Sequence, residues 1–160
     1  MTAIAVLWLG VWSYLMLGLA GVRADENAPR WERRLMSSAV RASVRRGALK
    51  TQTPVPPTDE NLVAGGKLYV NACAGCHGGL GRAPKPPETL YTPIPQLPQG
   101  GTEYSEAEVF WVVKYGIRRT GMSTYGPFYS GQQMWNIAAF IKQIKSLPPG
   151  VLERIQSKDP

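Results

Sequence analysis

Hydrophobic positions recur along the chain with helical spacing, and no segment shows the strict alternation that marks a strand. The longest apolar stretch comes first, because residues 3–22 are twenty residues without a charge. A helix of that length spans ~30 Å, the thickness of a bilayer's hydrocarbon core. The pattern predicts an all-α chain whose residues 1–24 form a transmembrane anchor. A cleaved signal sequence is the alternative, since Val22-Arg23-Ala24 carries the small residues that processing tolerates.

A second periodic stretch, residues 29–47, predicts a helix with Pro29 in its first turn. Five arginines fall on one face of this helix, namely Arg30, Arg33, Arg34, Arg41 and Arg45. The opposite side carries Trp31, Leu35, Ala39 and Ala42, with Met36 beside them. Such a basic amphipathic helix suits an anionic membrane surface. Alternatively, its apolar stripe packs on the rest of the chain or on a partner subunit.

Proline then marks a boundary between two parts of the chain. Residues 51–57 (TQTPVPP) predict an extended, semi-rigid spacer. We therefore divide the chain into the anchor (1–24), the basic helix and linker (25–57), a helical domain (58–150) and a C-terminal tail (151–160).

The helical domain begins with a good N-cap, Thr58, followed by two acidic residues at the positive end of the helix dipole. This helix contains the pair Gly65-Gly66, which predicts close approach of another helix because glycine has no side chain. A frayed or broken helix is the alternative, since glycine is a poor helix former. Capping boxes open two later helices, Ser105 with Glu108 and Ser130 with Gln133. The last helix should end at Pro148-Pro149-Gly150.

Residues 78–101, between the helix that follows Thr58 and the helix that follows Ser105, are rich in glycine and proline. Such a long stretch without regular structure is unusual in a compact domain, and it usually has something to wrap around. A bound group of considerable size would supply that.

The formal net charge of +7 is unevenly distributed. Residues 1–51 carry eight Lys or Arg against three Asp or Glu, a net of +5. Residues 52–160 carry ten against eight, a net of +2. The basic residues thus lie mainly beside the apolar N-terminal stretch, and no module that reads nucleic acid accompanies them. We predict no nucleic-acid partner.

The chemistry of the chain is concentrated in Cys73-Ala74-Gly75-Cys76-His77. C-x-x-C-H is the attachment motif of c-type haem. On one helical turn both thiols can reach one haem edge and form thioethers, and the adjacent imidazole can bind the iron. The chain has only these two Cys and this one His. The motif therefore predicts one covalently attached haem c, with His77 as an axial ligand of its iron.

Three other interpretations fit the motif less well. A structural zinc site needs four N or S ligands, and the second pair is missing. A redox C-x-x-C pair belongs in a βαβ context. A simple disulfide leaves the adjacent His77 unexplained.

The second axial ligand must be of another residue type, because the chain has no second His. The candidates are the methionines, a lysine or an open site. Met1 and Met16 lie in the predicted anchor, Met36 in the basic helix and Met134 at a core position of a later helix. Met122 lies instead in a loop between two helices, where its thioether is free to approach the iron. We predict Met122 as the ligand.

On these residues the chain resembles membrane-anchored, mono-haem cytochromes c of the small, Met-ligated bacterial type. Three matches within residues 58–149 carry the resemblance: Cys73 to Gly78, Tyr115 to Met122, and the C-terminal helix with Trp135, Phe140 and Ile141. It implies a small helical domain wrapped around the haem, with its first and last helices crossing at small residues. Gly65 or Gly66 and Tyr69 should then meet Trp135 and Phe140. Members often have Pro after the ligand Met, where this chain has Ser123.

The resemblance also implies one-electron transfer rather than enzymatic catalysis, with a redox protein as partner. A thioether ligand favours ferrous iron and raises the haem potential. Haem c further implies the periplasmic side of a bacterial inner membrane. The positive-inside rule would place the arginines after the anchor in the cytoplasm instead, and we give the haem motif more weight because it is more specific.

Two alternatives remain open at this point. The chain could be a permanently bound subunit of an oxidase or dehydrogenase rather than a tethered carrier. It could also be a haem peroxidase or sensor in which Met122 leaves the iron, although no acid–base pair for peroxidase chemistry is evident.

Other residues are candidates for contacts around the haem. Arg82 is predicted to bind a propionate, and the hydroxyl of Tyr91 or Tyr125 could do the same. The cations Lys114, Arg118 and Arg119 could border the haem edge and attract an acidic partner. The alternative is that they only balance the negative end of their helix.

Overall fold

The computed structural model describes residues 2–23, 26–48, 54–81 and 93–157. Within these ranges the regular secondary structure is α-helical, as predicted. The described helices are α1 Thr2–Met16, α2 Arg30–Gly47, α3 Asp59–Ala72, α4 Ala74–His77, α5 Leu97–Gly100, α6 Glu106–Tyr115, α7 Gly131–Gln143 and α8 Pro149–Gln156. Helices α3, α6, α7 and α8 contribute most of the core, and α2 packs on α6.

The N-terminal apolar stretch forms a shorter helix than the sequence predicts. The 15-residue α1 ends in a turn in which Gly18 has a φ of +69°. The Gly18 N–H donates to the Leu15 carbonyl, and the Leu19 N–H donates to the Tyr14 carbonyl. This pair of hydrogen bonds is the Schellman motif, which ends many helices. The prediction of one helix over residues 3–22 is therefore wrong.

None of the helices in residues 2–23, 26–48, 54–81 and 93–157 is both long enough and apolar enough to cross a membrane.

The basic helix is present as α2, but a different face is buried from the one predicted. Val44 is only 1% exposed, and Gly47 lies so close to the Trp111 indole that a Cβ would overlap it. Trp31 and Leu35, on the predicted apolar stripe, are 67% and 60% exposed. The stripe therefore does not pack on the described part of the chain, because α2 meets α6 through Val44 and Gly47, which lie on the far side of the helix from Trp31. Contact of the stripe with a membrane surface or with a partner subunit stays a prediction.

The proline-rich segment before α3 belongs in part to the folded domain. Val55 is 2% exposed in the core, and the Pro56 carbonyl accepts a hydrogen bond of 2.9 Å from Asn61 Nδ2. Residues 54–57 are therefore not a free spacer, because burial and this hydrogen bond hold them. Thr58 caps α3 as predicted, its hydroxyl accepting from the Asn61 N–H at 3.4 Å.

Helices α3 and α7 cross at the predicted glycine pair. A Cβ on Gly65 would overlap the Asn136 carbonyl, and one on Gly66 would overlap Ile155 of α8. The Tyr69 and Phe140 rings meet next to this contact, with centroids 5.3 Å apart. Both capping boxes are also confirmed, at Ser105 for α6 and at Ser130 for α7.

Trp135, the other aromatic residue of α7 that was expected to meet α3, stacks on a ring of α6 instead. Trp135 stacks on Phe110 of α6 with centroids 4.3 Å apart. This contact joins α6 to α7, so the aromatic residues of α7 link both neighbouring helices to the core.

The predicted C-terminal tail is in fact part of the fold. The Pro-Pro-Gly sequence starts α8 because proline is well suited to the first turn of a helix. Val151 is fully buried and Ile155 is 8% exposed, with the Ile155 side chain against Gly66. Residues 151–157 thus complete the core on one side of α3.

Candidate haem site

The attachment motif lies where α3 ends and α4 begins. Cys73 occupies the junction, and its carbonyl accepts hydrogen bonds from the Cys76 and His77 N–H groups, at 3.1 and 2.9 Å. The three functional side chains therefore belong to a single helical turn. Two thioethers along one haem edge require this arrangement.

The two thiols have different surroundings. Cys73 is 7% exposed, whereas Cys76 is exposed. Burial raises the pKa of the Cys73 thiol to about 11, and the nearby Cys76 contributes a smaller part. Burial therefore keeps the Cys73 thiol protonated at neutral pH.

One ring nitrogen of His77 already has a partner. Its Nδ1 lies 3.0 Å from the Pro95 carbonyl oxygen. A carbonyl can only accept a hydrogen bond, so Nδ1 carries a proton, and in the neutral imidazole Nε2 then keeps its lone pair. Histidines that bind metals are commonly held this way, because the bond fixes both the tautomer and the ring orientation. His77 is therefore prepared to bind iron through Nε2.

The carbonyls at the end of α4 are held by side chains from outside the motif. The Tyr69 hydroxyl donates to the Gly78 carbonyl at 2.7 Å, and the Gln96 amide donates to the Cys76 carbonyl at 3.2 Å. Burial raises the pKa of the Tyr69 hydroxyl well above its usual range, so it stays a donor. Sequence reasoning missed these roles of Tyr69, Pro95 and Gln96. The only signal in the sequence was the proline-rich composition of residues 78–101, which indicated a segment that wraps around a bound group.

Met122 lies in a compact loop that follows α6. The Met122 N–H donates to the Thr120 hydroxyl at 3.1 Å, and the Met122 carbonyl accepts from the Ile117 N–H at 3.0 Å. Gly116 enters this loop with a φ of +67°, and a Cβ there would be 2.7 Å from the Met122 carbonyl oxygen. The half-buried Met122 side chain is thus carried by a braced backbone despite the absence of proline at Ser123.

The Met122 loop is connected to the attachment motif. The Tyr125 hydroxyl donates to the Ala72 carbonyl at 3.0 Å, directly before Cys73. This differs from the predicted role of Tyr125 at a propionate, because its hydroxyl proton is used by the backbone.

The remaining predicted contacts divide into two groups. Arg82 and Tyr91 lie outside the described residues. The Lys114 ammonium lies over the Tyr115 ring of its own helix, 5.2 Å from the centroid, whereas Arg118 and Arg119 are exposed. The two arginines lie exposed at the start of the Met122 loop.

The donors present fit a covalent haem better than a bare metal ion. Within the described ranges, no cluster of three or more His, Cys, Asp or Glu side chains could hold a metal. Two thiols and an imidazole with a free Nε2, all on one turn, are the set that haem c uses.

The fold and this motif together define a c-type cytochrome domain. The chain belongs to the family described as cytochrome c oxidase, cbb3-type, subunit III, whose model matches residues 60–141. The match runs from the first turn of α3 into α7 and includes the attachment motif and Met122. Comparison with curated proteins and with solved structures gave no significant match. The single domain, with Cys73, Cys76 and His77, carries one covalent haem c.

Proposed function

We propose that this chain is a one-electron carrier whose haem is bound through Cys73 and Cys76, with His77 and Met122 as axial ligands. The observation that carries the proposal is the hydrogen bond from His77 to Pro95, which leaves Nε2 free on the same turn as both thiols. When bound, the haem supplies reversible one-electron chemistry between ferric and ferrous iron.

The role of the protein in this proposal is to hold both ligands in place. Pro95 orients the His77 ring, and the hydrogen bonds of Thr120 and Ile117 brace the Met122 backbone. Iron bound by both His77 and Met122 would have no vacant position for a substrate, which is why we propose a carrier and not an enzyme. Two fixed protein ligands would also limit rearrangement during one-electron transfer.

A redox titration of the purified protein, followed by its visible spectrum, tests this function. The proposal predicts one reversible one-electron step. Rapid turnover of hydrogen peroxide, or a haem that never cycles reversibly, would favour the peroxidase alternative instead.

A second candidate role is that of a permanently bound subunit of a respiratory complex. Two observations favour it: the family description names an oxidase subunit, and α2 exposes Trp31 and Leu35 on a face that a partner could cover. Extraction in mild detergent followed by size-exclusion chromatography separates the two roles. A tethered carrier elutes by itself, whereas a subunit elutes with its complex.

We further propose that the N-terminal part holds the domain at the periplasmic side of a bacterial inner membrane. Helix α1 has no charged residue and buries none of its residues. The exposed arginines of α2 suit anionic headgroups; they include Arg30, Arg33, Arg34 and Arg41. Fractionation of cells that produce the full chain tests this attachment. Recovery in the soluble fraction after cell lysis at moderate salt would contradict it.

The exposed Arg118 and Arg119 support an acidic redox partner, since they stand beside the Met122 loop. Ferricyanide, a small anionic oxidant, serves as a probe. Its reaction with the ferrous protein should slow as salt is added, and less so after Arg118→Gln with Arg119→Gln. An unchanged salt dependence in that double variant would show that these arginines do not steer the reaction.

A further inference from the structure

The side chain of Gln96 joins two parts of the haem site that are distant in sequence. Its Nε2 donates to the Cys76 carbonyl at 3.2 Å and to the Ile94 carbonyl at 3.0 Å. Both partners are acceptors, so only the amide nitrogen can make these bonds. Gln96 therefore ties the segment before α5 to the last turn of α4.

This connection lies next to the hydrogen bond that orients His77. Pro95, which accepts from Nδ1, stands between Ile94 and Gln96 in the chain. Proline has no N–H of its own, and residues 93–96 have no regular secondary structure. No helix or strand fixes the backbone at Pro95, so the position of its carbonyl depends on the residues on either side of it. The Gln96 amide thus binds the carbonyl of Ile94, which precedes Pro95, and the carbonyl of Cys76, which precedes His77.

Other roles for Gln96 are not supported by its contacts. It precedes α5 but makes no side-chain cap to that helix. Its Oε1 is buried and, in the part of the chain that the structure describes, has no hydrogen-bond partner. A buried acceptor without a partner is unfavourable. The donor group is thus the feature of this side chain that the fold uses.

We propose that Gln96 is a positioning residue, which holds the Pro95 carbonyl against His77 and thereby sets the strength of the axial ligand. A hydrogen bond from Nδ1 raises the basicity of the imidazole, and a stronger donor stabilises ferric iron. Loss of the Gln96 donors should loosen this bond and weaken His77 as a ligand. The midpoint potential of the haem should then rise. This inference rests on the proposed ligation by His77.

The test compares two variants of the haem-loaded full chain with a matched control. Gln96→Met keeps the side-chain volume and removes the donors, and Gln96→Glu keeps the shape but presents acceptors to both carbonyls. The control is Gln132→Met, because Gln132 is exposed on α7 and its amide bonds the Asn136 side chain. The measurements are the midpoint potential and the exchange rate of the His77 Nδ1 proton, followed by NMR in the ferrous state.

Gln96→Met should shift the potential upward, both Gln96 variants should speed exchange of the Nδ1 proton, and Gln132→Met should do neither. The potential is compared only for Gln96→Met, because the carboxylate of Gln96→Glu would itself lower it. A parental potential together with parental exchange in Gln96→Met overturns the proposal. Failure of both Gln96 variants to fold with haem also overturns it, because a residue that only positions the ligand is not required for folding. The visible spectrum of the unaltered protein reports separately whether His77 binds iron, so the two proposals can fail independently.

Discussion

The Tyr125 hydroxyl donates a hydrogen bond to the Ala72 carbonyl at 3.0 Å, across 53 positions of the sequence. Ala72 directly precedes Cys73, and Tyr125 follows Met122 by three residues. The bond joins the loop of the proposed second ligand to the helix that ends at the attachment motif. This bond therefore links the two halves of the site through the polypeptide.

Removing the Tyr125 hydroxyl should destabilise the domain without creating a cavity in the core. Tyr125→Phe leaves the Ala72 carbonyl unpaired, so we expect the free energy of unfolding to fall by about 1 kcal/mol. Tyr129→Phe is the control, because its ring stacks on Tyr125 and the substitution keeps that stack. Guanidinium unfolding followed by circular dichroism measures both. Equal losses in the two variants would show that the hydroxyl of Tyr125 has no special role.

The crossing of α3 and α7 should not tolerate a methyl group at Gly65. Gly65→Ala places a Cβ against the Asn136 carbonyl, and a backbone atom cannot move aside as a side chain can. We expect a loss of about 2 kcal/mol in stability, since overpacking outweighs the better helix propensity of alanine. Gly131→Ala, at an open position of α7, should be near neutral. A stable Gly65→Ala protein would mean that the two helices cross less closely.

The burial of α8 predicts that residues near the C-terminus stabilise the domain. Ile155→Ala should lower the free energy of unfolding by about 2 kcal/mol, because the side chain is buried against Gly66. Leu152→Ala, on a less buried face of α8, should cost much less. Thermal unfolding of the two variants decides the matter. Similar melting temperatures would be expected only if residues 151–157 were a tail.

Stability should decrease in alkaline solution in a way that depends on Tyr69. Burial raises the pKa of its hydroxyl above the ordinary value of 10.0, so the folded chain keeps a proton that the unfolded chain loses. The stabilisation is complete below pH ~10 and is lost as the pH rises further, by about 1.4 kcal/mol per pH unit for one proton.

Tyr69→Phe removes this contribution and should make the decrease above pH ~10 shallower, although it also costs a hydrogen bond at neutral pH. Guanidinium unfolding at several pH values gives the slope for each protein. Tyr115→Phe, at an exposed position, is the control. The same slope in Tyr69→Phe and in the parent would refute the explanation.

Features set by local sequence could be predicted, and so could one long-range contact, the crossing of α3 and α7 at Gly65-Gly66, which the family resemblance implied. Most other long-range contacts could not. Thr58, Ser105 and Ser130 cap helices as expected, because a cap involves residues only three apart. The periodicity of α2 indicated two faces, but not which of them would meet α6. The outcome depended on Gly47 and Trp111, which are far apart in the sequence.

The same limit applies to the site. The motif itself was enough to identify Cys73, Cys76 and His77, since their spacing corresponds to one helical turn. The hydrogen bonds of Gln96 and Tyr125 join residues 20 and 53 positions away, and no local pattern marks such a pair. The early end of α1 was missed for another reason. An apolar run predicts where a helix can form, but it does not show that Gly18 adopts a positive φ and ends the helix.

The most direct test of the account is the visible spectrum of the ferric protein and of its Met122→Ala variant. The account predicts low-spin ferric haem in the parent, with the weak far-red band that arises when a thioether sulfur binds the iron. The band should vanish in Met122→Ala and persist in Met134→Leu, which replaces a buried methionine of α7 with a side chain of similar volume. High-spin haem in the parent, or a far-red band that survives Met122→Ala, would contradict it.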